Sequence, residues 1–357
     1  MPFPGRSDIA VAAEQRGTSE TPLLEARGLT RHFQVGTTFG LRRDTLRAVE
    51  DVSFALRPGV VTALVGQSGS GKSTIARLLL RLQTPTSGSI LLGDEDVARI
   101  RGRRRIRRYR SQVQMIFQDP FASLNAVKPV EHHIARPLRI HGVVPRDQVH
   151  SRVLELLTSV GLVPAEKIAT KFPHELSGGQ QQRVAIARAL AVEPSVLIAD
   201  EPVSMLDVSI RLGILNLILE LKARRDLAFL YITHDLASAR YVADEVLVLY
   251  AGQIVERGAT DDVLQSPLHP YTKLLLSAVP NPASGLRQER LPERRAPTDG
   301  ALPDESCRFV ERCPVAFDTC RAVAPQLIDA RRGHGVRCHL FDPSITREER
   351  DDERRRF

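Results

Sequence analysis

The stretch Gly66-Gln67-Ser68-Gly69-Ser70-Gly71-Lys72-Ser73-Thr74 leaves this chain the fewest choices. It follows an apolar run, Val60–Val65, and leads into Ile75-Ala76-Arg77-Leu78-Leu79-Leu80, which reads as a helix. Strand, glycine loop and helix in that order are the context in which G-x-x-x-x-G-K-[ST] means phosphate binding. The glycines let consecutive backbone N–H groups turn toward one point, and the helix start adds its positive dipole end. Lys72 is then placed for the β- and γ-phosphates, and the Ser73 hydroxyl for Mg²⁺. Only six of the 50 Lys and Arg residues are lysine, yet lysine stands here. A compact ammonium suits such a cradle better than a planar fork. The stretch reads as a nucleotide-triphosphate site on an α/β core.

At 357 residues, 42% hydrophobic and 26% charged, the chain can bury one large core or two. No run approaches the ~18 apolar residues of a membrane span. Residues 1–22 carry Arg6, Asp8, Glu14, Arg16 and Glu20 with no apolar signal region, and read as a flexible leader. The protein is therefore expected in the cytosol, with its four cysteines reduced or metal-bound rather than paired. A net charge of +8 is compatible with an acidic membrane surface or nucleic acid and proves neither.

Leu24–Gln34 and Leu46–Leu56 have strand character, broken by the polar, glycine-containing segment Val35–Asp44. Phe33 could stack on a base or simply fill the core. After the phosphate loop's helix, Ser87–Gly93 suggests a short strand returning to the sheet. The arginine-rich block Arg99–Arg110 has only Tyr109 for base stacking, so it reads as a solvated helix face, and no nucleic-acid partner is expected. Val113–Phe117 is an apolar strand ending at Gln118, at the edge where open α/β sheets hold ligands. Residues 121–175 read as an inserted helical lobe, with Val153, Leu154, Leu156, Leu157 and Val160 at helical spacing. Leu176-Ser177-Gly178-Gly179-Gln180 opens the next helix as a second anion cradle. It has no phosphate of its own in the chain, so the economical inference is that it serves a nucleotide on another subunit. Pro194–Pro202 is a buried-strand pattern closed by Asp200 and Glu201. Asp200 suits Mg²⁺, and Glu201 can polarise an attacking water. A turn, Ser204–Asp207, follows. The strand Leu227–Thr233 delivers His234 to the same edge, and residues 246–255 read as a hairpin.

With these residues in order, the chain resembles the ATP-binding subunits of ABC transporters over about residues 24–280. The resemblance implies a P-loop ABC ATPase fold: α/β with a mixed sheet, an N-terminal antiparallel β subdomain and an inserted helical subdomain at about 119–190, within an ATPase domain spanning 23–258. It implies two ATPase domains head to tail, each ATP held by one chain's Gly66–Thr74, Gln118, Asp200 and His234 and by the partner's signature Leu176–Gln180. By the same resemblance Phe33 stacks on the base, Ser73, Gln118 and Asp200 serve Mg²⁺, Glu201 is the general base, His234 senses the γ-phosphate, and Asp207 closes the dimer turn. The helical lobe would receive a membrane subunit. None of these positions is degenerate, so an active ATPase is expected.

Ser266–Leu275, with His269-Pro270-Tyr271, resembles the segment found in ATPases of the oligopeptide, dipeptide and nickel importer group. The expected function is energising a di- or oligopeptide importer at the cytoplasmic face of the membrane. The partners would be two permease subunits, a second ATPase (a copy or a paralogue) and, indirectly, an extracytoplasmic binding protein. A nickel or other small-solute importer, a soluble ATPase acting on nucleic acid or ribosomes, and a non-enzymatic metal scaffold are the alternatives. The segment 259–303 ends in a proline-rich linker. All four cysteines, Cys307, Cys313, Cys320 and Cys338, then fall within 304–343, before a charged tail at 344–357. Four thiolates can hold Zn²⁺ or an iron–sulfur cluster. The absence of close C-x₂₋₄-C pairs argues against structural zinc, and the resemblance implies a structural [4Fe-4S] cluster.

Overall fold

Runs of aliphatic and β-branched residues without a polar break make strands buried on both faces. In the computed structural model, which describes residues 21–36, 43–278 and 305–345, this holds for β3 (Val61–Val65), β7 (Val196–Asp200) and β8 (Ala228–Thr233). The expected leader, linker and charged tail, and the middle of the loop between the first two strands, lie wholly or mostly outside those residues. With β6 (Val113–Ile116) and β9 (Glu245–Tyr250) these strands run parallel, in the order β9-β3-β8-β7-β6. Side chains alternate between the two faces. Phe229 and Tyr231 of β8 join one apolar core, and Ala228, Leu230 and Ile232 the other.

The parallel strands end together, so the segments after β3, β6, β7 and β8 meet at one edge. The connections are α1 (Lys72–Leu79), α2 (Arg103–Gln112), α8 (Val208–Arg225) and α9 (Leu236–Val242), with a helical lobe between β6 and β7. That lobe holds α3 (Pro120–Ser123), α4 (Val130–His141), α5 (Val149–Ser159), α6 (Ala165–Thr170) and α7 (Gly178–Leu190). The arginines of α2 lie exposed, as its composition predicts, while Tyr109 turns inward and donates its hydroxyl to the Leu79 carbonyl. Among the described residues no helix is long and apolar enough to cross a membrane.

A second, antiparallel sheet has the order β2-β1-β4-β5, built from β1 (Leu24–Gly36), β2 (Arg43–Leu56), β4 (Ser87–Leu92) and β5 (Glu95–Asp96). The Ser87–Gly93 strand therefore returns to this sheet and not to the one carrying the phosphate loop. Only Ile90 of β4 is fully buried, which suits a sheet with one solvated face and not a doubly covered one.

The cysteine-bearing extension is not set apart from the core. After β10 (Gln253–Ala259), α10 (Thr260–Gln265) and α11 (Pro270–Ser277), a short helix α12 (Asp318–Ala322) precedes the hairpin of β11 (Leu327–Arg331) and β12 (His334–Arg337). Strand β12 pairs antiparallel with β10, Glu256 opposite Val336, and so widens the main sheet to eight strands. Glu256 is wholly buried in this joint. Its carboxylate accepts from the Leu268 and His269 N–H groups at 2.7 and 2.9 Å, and from His334 Nε2 at 2.7 Å. A buried carboxylate is tolerable only with such a full set of donors, and this one ties the His-Pro-Tyr segment and β12 to a core strand.

Candidate active site

Close backbone approaches and its own lysine shape the phosphate loop. Gly71 has φ +108°, and a Cβ there would lie 2.3 Å from the Ala48 carbonyl; at Gly66 it would lie 2.3 Å from that of Leu249. Glycine is needed at both positions so that the backbone can pass its neighbours. A Cβ on Gly69 would meet nothing within 4 Å, so the loop is open on that side. Lys72 is buried, with Nζ donating to the carbonyls of Gly66 at 2.6 Å and Gln67 at 2.9 Å. Burial draws its pKa below the ordinary lysine value, against the opposing charges of Glu201 and Asp200. An anion entering the loop would relieve that cost.

Three strand ends supply the opposite wall. Asp200 ends β7 and is hydrogen-bonded to Ser73; burial, then the neighbouring Glu201 charge, raises its pKa. Glu201 follows in the left-handed region, φ +45°, an unfavourable conformation for a side-chain-bearing residue. Its N–H donates to the Ile232 carbonyl at 2.8 Å, and its own carbonyl accepts from Ser204. The result points its carboxylate between two side chains from other strand ends. Gln118 Nε2 donates to Glu201 Oε2 at 3.2 Å, and His234 Nδ1 lies 3.0 Å from Oε1. Gln118, Asp200, Glu201 and His234 are thus gathered at the edge where Lys72 and Ser73 stand. The oxygen donors Ser73, Asp200 and Gln118 suit Mg²⁺, a hard cation that takes oxygen ligands and fills the rest of its shell from phosphates and water.

Phe33 is half-buried with the Arg31 guanidinium 4.6 Å from its ring centroid, while His32 Nε2 lies 2.7 Å from Glu50. The signature residues sit elsewhere. Ser177 is exposed and caps α7, its Oγ accepting from the Gln180 N–H at 3.3 Å and its N–H donating to Gln180 Oε1 at 3.1 Å. This reciprocal pair is a capping box. Leu176 is buried, and Gly179 is wedged against Ile210, which a Cβ would approach to 2.4 Å. Asp207 is exposed at the start of α8, beside Leu206, which contacts the Gly178 position.

All four cysteines line one cavity, with Phe309, Val310, Val315, His339 and Leu340. Cys307, Cys320 and Cys338 carry free thiols. Burial raises the pKa of each, that of Cys307 to about 11. Among the described residues no three His, Cys, Asp or Glu side chains come close enough to share a single metal ion.

Sequence reasoning missed the residues that brace the phosphate loop from behind. The Gln67 N–H donates to the Tyr271 hydroxyl at 3.0 Å, and Gln67 Oε1 accepts from Arg312 Nη1 at 3.0 Å. The His-Pro-Tyr pattern pointed to Tyr271 without a role; nothing local singles out Arg312.

The ABC transporter family profile matches residues 49–204, and the oligopeptide/dipeptide transporter C-terminal region matches residues 255–320. The chain is 39% identical over 326 residues to the oligopeptide transport ATP-binding protein AppF of Bacillus subtilis, covering 90% of this chain and 98% of the relative. It is 41% identical over 319 residues to the di/tripeptide transport ATP-binding protein DppF of Pseudomonas aeruginosa, covering 89% and 97%. Among solved structures it resembles CbiO1 of Clostridium perfringens, part of an ABC transporter complex, at TM-score 0.59 and 28% identity over 69% of this chain and 92% of that one. It also resembles a dimeric ATP-binding cassette in a post-hydrolysis state with ADP and Pi, at TM-score 0.58 and 27% identity over 66% and 98%.

Proposed function

The chain belongs to the ABC transporter ATP-binding proteins, in their oligopeptide/dipeptide branch, and from that premise we propose that it hydrolyses ATP to drive import of di- or oligopeptides. It would do so at the cytoplasmic face of the membrane, on two permease subunits and opposite a second ATPase. The observation that carries the reading is Glu201, held in a strained backbone between Gln118 and His234 and facing Lys72 and Ser73 across one strand edge.

In this reading the loop's backbone and Lys72 hold the β- and γ-phosphates. A unit charge pair at 4 Å is worth about 4 kcal/mol at an effective dielectric near 20, so Lys72 outweighs any surface arginine. Mg²⁺, when bound, neutralises phosphate charge; Ser73, Asp200 and Gln118 are its candidate protein contacts. Glu201 accepts a proton from the attacking water, and His234 orients that carboxylate while reaching the γ-phosphate side. Phe33 offers a ring to the base. Ser177 would offer its hydroxyl and Gly178 and Gly179 their helix-start N–H groups to the nucleotide of the partner, and Asp207 would lie at the contact between the two chains. The test is reconstitution with the two permease subunits and a binding protein in vesicles. Peptide-loaded binding protein should stimulate phosphate release severalfold. Phosphate release that stays indifferent to both peptide and permease would overturn the transport reading.

The four sulfurs around one apolar cavity support a thiolate-bound [4Fe-4S] cluster with a structural role. Soft donors favour iron–sulfur chemistry or zinc, and four thiols lining one cavity are the observation behind the reading. Anaerobic purification followed by iron and acid-labile sulfide assay tests it; stoichiometric zinc without iron would sink it.

A further inference from the structure

Gln67, the first variable residue of the phosphate loop, is held at three points. Its N–H goes to Tyr271 and its side-chain oxygen to Arg312, and its carbonyl is one of the two that hold Lys72. The first two bonds come from the C-terminal part of the chain. Arg312 lies in the bridge 308–312 between Cys307 and Cys313, two of the cysteines around the thiol cavity. At the other end of that bridge Arg308, nearly buried, donates to the Ala251 carbonyl and lies 3.3 Å from Glu50. Ala251 precedes Gly252, whose N–H donates to the Ser70 carbonyl of the phosphate loop at 2.8 Å. Between the two arginines Phe309 is buried against Tyr250 and Tyr271, with ring centroids 5.1 and 5.6 Å away. The Arg312 guanidinium sits 5.9 Å from the Tyr250 ring centroid. The thiol module therefore rests on the back of the phosphate loop through a packed aromatic cluster and two arginines.

We propose that Arg312 and Tyr271 are positioning residues for ATP: they fix Gln67, and through it the resting place of Lys72, so that the folded state of the thiol module sets how tightly the loop holds nucleotide. This rests on the phosphate loop being the ATP site. The physical reason is preorganisation. A loop already held in its binding shape loses less freedom when phosphate arrives, and the Tyr271 bond takes up an N–H at the start of the loop. A charge-assisted hydrogen bond such as Arg312 to Gln67 is the stronger of the two.

The test measures equilibrium binding of a fluorescent ATP analogue, and steady-state phosphate release, on the full chain carrying R312Q, R312K, Y271F, Q67A and the Q67A/R312Q pair. R312Q should weaken binding about fivefold and raise KM by the same factor, with kcat at saturating ATP unchanged. R312K, which keeps a cation and a donor, should recover most of the affinity. Y271F keeps the ring packing and removes only the hydroxyl, and should weaken binding about threefold. In the Q67A background R312Q should cost nothing further, because the interaction runs through that side chain. An R312Q chain that binds like wild type, or an equal loss in both backgrounds, overturns the proposal. K72A separates it from the underlying reading: if K72A binds normally, the loop is not the ATP site at all, whatever Arg312 does.

Discussion

Two glycine-bearing turns open two helices in this chain, and they are finished to different degrees. The phosphate loop before α1 is completed from within: its lysine is parked on its own carbonyls, Ser73 meets Asp200, and Gln67 is braced from behind. The signature turn before α7 has only its own capping box, an exposed Ser177, and apolar support from Ile210 and Leu206. Both are helix starts with N–H groups to offer. Only one of them has a lysine, an acidic strand end and a general-base candidate around it. On the reading proposed above, a chain built this way would hold ATP at the first cradle and present the second, with Ser177 exposed, to a nucleotide on another molecule.

The sharpest break of that contrast is K72A, which should lower ATP affinity or turnover by roughly a hundredfold or more, read by analogue binding and phosphate release. E201Q comes next. It should retain ATP, cut turnover on the order of a hundredfold, and elute as a dimer in ATP by size-exclusion chromatography; normal turnover would remove Glu201 from its role. E256A asks how far the phosphate loop leans on the joint behind it. Three donors lose their acceptor, so the folded state should weaken by about 3 kcal/mol, seen as a lower denaturation midpoint. The smallest effect belongs to the second cradle. S177A should cost about 1 kcal/mol of helix capping and leave ATP affinity of the isolated chain unchanged while slowing turnover of the dimer. If S177A lowered affinity in the monomer, the two turns would not be separate half-sites.

The phosphate loop, Asp200-Glu201, Gln118 and His234 were legible because each is a short local pattern at the end of an apolar run, and parallel strands carry such ends to one edge. The helical lobe was legible from its apolar spacing, and the start of its last helix from Ser177 and Gln180. The destination of Ser87–Gly93 was not, since a strand of that length carries no mark of which sheet it joins. Nor was the joint at Glu256: a lone glutamate in a strand pattern looks solvent-facing until β12 and the His-Pro-Tyr segment are laid over it.

The sequence by itself determined which residues are candidates for that chemistry, because phosphate binding and proton abstraction require particular residue types at spacings of a few positions, and those spacings are set by local geometry. Only the tertiary structure decided what braces that chemistry. Arg312 and Gln67 stand 245 positions apart, and their contact exists because the hairpin of β11 and β12 adds to the edge of the sheet and carries the thiol module onto the back of the phosphate loop. Pairing of that range is fixed by the packing of the whole core and leaves no local signature in the residues it joins.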